Sequence, residues 1–346
     1  MSAAHSKRGG SGGRSAPGLN WGSLERAARV VAGTGTRTDG AALLRLRSDI
    51  VALLDDACAE VERESGLPTT PRAELLVVDR HGWIGGNLRT LQRLLGDAPL
   101  AGAEARVIAW EGGAFLGMVA RVVLAQFDPF RDQLIVVYPN LGEMARGSGL
   151  RYLMFHEVAH LAQFRAAPWI PERIVELARE VLSVQTPGLT RDTLAKIPER
   201  LPQIIKWARD VVEGRPVTMP LLDLLPAAQR EAVNTLQALV TLLEGHATLI
   251  TDLISQRTLP DFPELQARLE QRKRRPPLMR LVEAVSGLEM KRQQYVVGRS
   301  FCEAVWKHGG AAALDAAWRG PEWIPTIDEL RAPEAWLDRV GAPTDA

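Results

Sequence analysis

A mainly α-helical protein with a small β element is what this sequence predicts. Three observations carry that expectation. Long stretches place apolar residues at helical spacing, one short run is rich in β-branched residues, and an Ala-rich composition holds only 5% aromatic residues. That mixture favours close helix packing over an aromatic-rich β-sandwich. Residues 1–20 are rich in Gly and Ser, cannot bury enough apolar surface to order themselves, and read as a flexible tail ahead of a folded body that starts near Trp21. The remainder, 21–346, reads as a single domain, large enough to form two lobes around a cleft.

The elements follow in order. From 39 to 64, Leu43, Leu46, Ile50, Leu53, Leu54 and Cys58 recur at the spacing of an amphipathic helix. A short apolar run, Leu75 to Val78, precedes a helix that ends near Leu95 and is stopped by Gly96, its start weakened by Gly85 and Gly86. A third helix is expected from about Glu104 to Gln126, apolar on every side and therefore packed deep among others. The stretch 132–140, DQLIVVYPN, is the best strand in the chain. A helix covers the block LRYLMFHEVAHLAQFRA and is stopped by Pro168 and Pro171. Further helices are expected at 171–184, 191–212, 226–255, 277–285 and 288–307. After them, a Pro-broken C-terminal stretch carrying Trp318, Trp323 and Trp336 reads as a packed strap.

Composition also excludes. Forty-two Lys and Arg against 41 Asp and Glu leave a net charge of +1, which supplies no general attraction to nucleic acid or to anionic lipid. The apolar stretch 114–127 is broken by Arg121, and the stretch 238–254 carries Glu244, His246 and Asp252, so neither reads as a membrane span. The first residues lack the apolar core of a secretory leader. Two distant cysteines, Cys58 and Cys302, make no disulfide framework and read as buried thiols, which points to a cytoplasmic protein.

Chemistry enters at His156, Glu157 and His160, which spell H-E-x-x-H. On a helix, residues four apart lie about 40° from each other, so both imidazoles project from one face and can reach one Zn²⁺. Glu157 beside them would hold the attacking water and move its proton. The plain alternative is a helix whose histidines only pack or hydrogen-bond. Two histidines leave zinc short of a third protein ligand. The metzincin continuation does not supply it, because Gln163 and Arg165 stand in the region where a Gly and a third His would be required. The best donors elsewhere are Glu244 and His246, about 200° apart on one helix. Small and hydroxylic neighbours around Glu244 (Gln237, Thr241, Ala247, Thr248, Thr251) suit a solvated cavity, whereas Leu and Ile surround His246. This favours Glu244 as the ligand and leaves His246 as the alternative, better suited to a buried supporting role. Gly245 would let another helix approach the backbone beside Glu244.

These residues resemble a known family. The segments VVDRHGWIGGN (77–87), HEVAHLAQF (156–164), LLEGHA (242–247), GLEMKRQQYVVGRSFCEAV (287–305), PEWIPTIDEL (321–330) and PEAWLDRV (333–340) look like recurring segments of the zincin-like metallopeptidases of type 2. These are a mainly actinobacterial group whose members carry hydrolase and coenzyme F420 biosynthesis-associated labels. The resemblance implies a mostly helical zincin fold, His156 and His160 as zinc ligands, Glu157 as catalytic acid and base, and the Glu of LLEGHA, Glu244, as the remaining ligand. Ala159 departs from the Thr often found there, which removes a hydroxyl but no ligand.

An oxyanion donor is also needed. Lys291, Tyr295 and Arg299 lie four apart along one helix face, and Tyr295 is the candidate, against the alternative that this face is a solvated or salt-bridged surface. His81 reads as a turn or packing histidine and His308, before Gly309 and Gly310, as a helix C-terminal residue. The expected activity is that of a zinc-dependent hydrolase, a metallopeptidase acting on a peptide or protein substrate. The alternatives are a zinc-retaining binding or scaffold protein and a hydrolase of a non-peptide amide in a cofactor pathway.

Overall fold

The structure, a computed structural model, describes residues 20–35, 39–95, 102–183, 227–273 and 288–341. In chain order the elements are α1 (Trp21–Ala32), α2 (Gly40–Ser65), β1 (Glu74–Val78), α3 (Arg80–Leu95), α4 (Gly102–Ala120), β2 (Ala125–Asp128), β3 (Gln133–Val137) and α5 (Tyr138–Leu141). They continue with α6 (Gly147–Ala166), α7 (Ile170–Ser183), α8 (Ala227–Thr258), α9 (Phe262–Lys273), α10 (Leu288–Leu314) and α11 (Pro333–Val340). The fold is mainly helical with one small sheet, as the sequence predicts.

The chain divides into two compact units, the first made of residues up to Gly35 with Arg80–Val122, the second of Thr36–Asp79 with Val123–Ala346. In the first unit α1, α3 and α4 pack together. Asn20 caps α1 by accepting a hydrogen bond from the Ser23 amide, and the helix buries Leu24, Ala27, Ala28 and Ala32. Gly113 and Gly117 of α4 meet that Ala-lined face so closely that a Cβ on either would lie 2.3 Å from the Leu24 carbonyl oxygen or 2.4 Å from that of Ala28.

The second unit is built around α6, whose buried residues point in every direction: Leu150, Leu153, Met154, Val158, Leu161 and Ala162 among them. Helices α2 and α8 and strand β2 surround it. Beside it lies a three-stranded sheet of order β1-β3-β2, with β1 parallel and β2 antiparallel to β3. The apolar run of β3, buried from Leu134 to Val137, takes the centre, as expected of a strand flanked on both sides. α6 grips the β2–β3 hairpin through Arg165, which pairs with Asp132 at 2.6 Å and donates to the Pro71 carbonyl. Asp132 holds the left-handed φ of 54° that the turn requires.

Three expectations need correction. The helix expected to run to Gln126 stops at Ala120, and Ala125–Asp128 form β2 instead. A partner strand is available five residues on, and pairing with β3 satisfies backbone groups that periodicity alone assigns to a helix. Nor is α4 buried all round, since Trp110 is 56% exposed. Helices α1 and α9 were not foreseen as elements. The expected helices at 191–212 and 277–285 lie outside the described residues. The helix expected to end near Lys307 does break just beyond it, at Gly309 and Gly310, where the backbone leaves helical geometry. Among the described helices, α8 is long and apolar enough to cross a bilayer, and 78% of its most apolar window is buried in the protein.

The C-terminal stretch is packed. Trp336 is fully buried against Phe301, with ring centres 5.3 Å apart, and its indole donates to the Trp323 carbonyl. Arg339 of α11 clasps Glu329 and donates to the Glu322 and Ile324 carbonyls.

Candidate metal centre

His156 and His160 sit one turn apart on α6, their rings edge to face with centres 4.8 Å apart. Glu244 reaches them from α8. Its Oε2 lies 3.5 Å from the His156 Nε2 and 3.6 Å from the His160 Nε2, and the three atoms all lie within 4.8 Å of one another. All three side chains are partly buried.

The donor set fits a divalent transition metal. Ligand atoms about 2.1 Å from a tetrahedral ion stand about 3.4 Å apart, close to both His–Glu separations. The local field agrees in sign. Burial pulls the His160 imidazolium down, but the hydrogen bond and charge of Glu244, the charge of Glu157 and the bond to Gln163 outweigh it and raise His160 above its ordinary value. A site that favours a proton there favours a cation for the same reason.

What turns Glu244 toward the histidines is the way α8 crosses α10. A Cβ on Gly245 would lie 2.2 Å from the Gly298 carbonyl carbon, and one on Gly298 would lie 2.1 Å from the Thr241 carbonyl oxygen. The two backbones therefore touch, as the sequence suggested for Gly245. Gly245 faces α10, and residues on either side of it in sequence lie about 100° round the helix. Glu244 and His246 thus straddle the opposite side, where α6 runs. The small residues flanking Glu244 do a different job from the one expected of them: Thr241 is buried and takes the backbone of α10 rather than lining a solvated cavity.

His246 is buried and does not join the three-donor group. Its ring meets Trp318 edge to face at 5.0 Å, and its Nδ1 lies 3.0 Å from the Gln163 Nε2. Burial, with the nearby His160 adding to it, pushes its pKa down to about 3, so it is a neutral imidazole.

Glu157 is buried next to His156, and its Oε2 accepts a hydrogen bond from the Phe127 amide at 2.8 Å. The donor comes from the outer edge of β2. Val137 donates to the Leu124 carbonyl, so Leu124 and Val137 form a hydrogen-bonded pair. Alternation along the ladder then turns the amide of Phe127, which stands opposite Leu134, away from β3 and toward α6. Its ring also packs on Phe164 of α6. The Lys291 and Tyr295 side chains lie outside the described residues. Arg299, on the same helix, pairs with the buried Asp252 at 2.8 Å and with Glu303, and Asp252 also accepts from the Tyr152 hydroxyl. Burial, followed by the Asp252 charge, pushes that phenol well above its ordinary value.

Sequence reasoning missed two partners. Gln163, three residues after His160 and so on the same face, was legible as a neighbour. The Phe127 amide was not, because β2 itself was read as helix.

An H-E-x-x-H helix facing a carboxylate from a second helix defines a class: helical proteins with a His-His-Glu donor set suited to one divalent ion. The chain belongs to the zincin-like metallopeptidase family, which matches residues 19–337. Membership brings with it a metal-dependent hydrolase as the coarse assignment. The chain is also similar to a crystal structure titled as a "putative hydrolase with a novel fold" from Chloroflexus aurantiacus. The two share 20% identity and a TM-score of 0.64 over 93% of this chain and 99% of that one, a likeness of fold. No curated protein matches the sequence.

Proposed function

We propose that the protein is a zinc-dependent peptidase in which His156, His160 and Glu244 hold the metal and Glu157 is the general base and acid. The observation that carries this is the gathering of two imidazoles and one carboxylate with their ligand atoms within 4.8 Å of one another, and a further buried carboxylate next to His156 in sequence. A bound zinc supplies a Lewis acid that polarises a carbonyl and acidifies water. Glu157 takes a proton from the attacking water as the new C–O bond forms, and returns it to the amide nitrogen as the C–N bond breaks, so protons balance over the cycle. Its bond to the Phe127 amide fixes which way the carboxylate faces. Tyr295 is the candidate donor to the developing oxyanion. Cys58 and Cys302 are free and buried, which suits a reducing compartment, and the activity is read as cytoplasmic.

Metal analysis combined with turnover of a peptide library tests the proposal. The wild type should carry stoichiometric zinc and cleave, while Glu157→Gln should keep the zinc and lose about 10²-fold or more in rate. Zinc retained with no Glu157-dependent cleavage would replace the peptidase with a zinc-retaining binding protein.

A further inference from the structure

Gln163 is fully buried and lies where three polar groups from two helices converge. Its Oε1 is 2.9 Å from the His160 Nδ1, while its Nε2 donates to the Leu243 carbonyl at 2.8 Å and lies 3.0 Å from the His246 Nδ1. The Leu243 oxygen decides the orientation of the amide, because a carbonyl can only accept. The NH₂ end must face α8, so the carbonyl end must face α6. That leaves the His160 Nδ1 opposite an acceptor, and it can satisfy that acceptor only by carrying the proton. A neutral His160 then has its lone pair on Nε2, the atom turned toward Glu244.

The opposite amide orientation is costly on every side. It would set oxygen against the Leu243 oxygen inside the protein, demand a proton on the His246 Nδ1, and move the His160 proton to Nε2, where it would block a metal. The second N–H of the amide finds the His246 Nδ1 as an acceptor. His246 thereby completes the amide's hydrogen bonds, and its own proton sits on Nε2. This accounts for a buried histidine on α8 that is not one of the three donors.

We infer that Gln163 is a positioning residue that sets the tautomer of His160 and so readies its Nε2 lone pair for the metal, with the Leu243 carbonyl and the His246 Nδ1 fixing the amide that does so. The inference rests on the reading of His160 as a ligand for its purpose, but the tautomer itself is a property of the metal-free chain. Groups that orient ligating histidines in this way change metal affinity by about 10- to 100-fold when removed.

The test has two arms on the full-length chain. Nitrogen-15 NMR of the metal-free protein, labelled at histidine and recorded at a pH above the His160 titration so that the ring is neutral, reads the tautomer directly. The wild type should show His160 protonated at Nδ1 and His246 at Nε2, and Gln163→Leu should lose the His160 preference. Zn²⁺ affinity by competition with a chromophoric chelator should fall about 10- to 100-fold in Gln163→Leu. Gln163→Glu, which restores the acceptor for the Nδ1 proton but sets an oxygen against the Leu243 carbonyl, should recover part of that loss.

A merely structural glutamine would lower stability without moving the tautomer, and Gln163→Glu would not rescue affinity; either result overturns the inference. Should Gln163→Leu fail to fold, the wild-type spectrum still decides, because a His160 proton on Nε2 contradicts it. A wild type with the stated tautomers but no zinc affinity would sink the proposed function and leave the tautomer assignment standing.

Discussion

Two helix crossings in this molecule use the same device for different ends. In the first unit, Gly113 and Gly117 of α4 touch the backbone of α1 at Leu24 and Ala28; in the second, Gly245 of α8 and Gly298 of α10 touch each other and Thr241. Each removes side chains to let backbones meet, which leaves no slack for either helix to rotate. Around the first crossing lie alanines and leucine, and the crossing only holds helices together. Around the second lie Glu244 and His246, one on each side of Gly245, so the orientation of α8 becomes the orientation of two side chains at the candidate metal centre. The lesson is that a glycine in a helix interior matters by what its sequence neighbours must face.

Changes at the metal centre should give the largest effect. His160→Ala is expected to reduce bound zinc from stoichiometric to near zero, read by elemental analysis, and unchanged metal content would remove the central assignment. Next, Gly245→Ala and Gly113→Ala should each cost about 3 kcal/mol in denaturant unfolding, because the new methyl meets backbone that cannot yield. They should part company in metal content, with Gly245→Ala losing zinc and Gly113→Ala retaining it. Equal zinc loss in both would erase the distinction between the crossings. A finer cut is Glu244→Gln against His246→Gln: the first should weaken zinc retention more than the second under chelator challenge, and the reverse order would exchange their roles.

The smallest effect lies in the C-terminal stretch. Burial raises the Glu329 carboxyl, but the hydrogen bond to Arg339, the Thr326 amide and the Arg339 charge lower it further, so its folded value falls below the ordinary one. Its contribution is therefore complete above the ordinary carboxylate value and disappears as pH falls through the lower folded value. Glu329→Gln should cost about 1–2 kcal/mol at neutral pH and progressively less in acid, followed by thermal unfolding across pH. A pH-independent cost would mean that the Arg339 clasp holds by shape alone.

Much of the molecule was legible in sequence because long periodic segments declare themselves. The helices bearing His156 and Glu244 have apolar spacing sustained over several turns, and the four-residue step from His156 to His160 is itself a geometric statement. The preference for Glu244 over His246 came from neighbours, and those neighbours proved to serve helix contact at Thr241 instead of solvation. What stayed hidden was non-local. β2 exists because β3 pairs with it, and nothing in Ala125–Asp128 alone separates it from the end of a helix. Gln163 was visible as a residue at the right spacing, but its partners, the Leu243 carbonyl and His246, stand about eighty positions away and meet it only through the packing of α8 on α6.

The bond from the Phe127 amide to Glu157 ties the hairpin to the helix that carries His156 and His160. A slip of β2 by one residue against β3 would turn every side chain of the strand to its other face. The outward amide opposite Leu134 would then belong to Gln126 or Asp128, and the Phe127 ring would lose its place on Phe164. The pairing register of a four-residue strand and the surroundings of the Glu157 carboxylate are thus one inheritance, and a change in the turn at Asp132 would reach Glu157 without touching His156, His160 or Glu244.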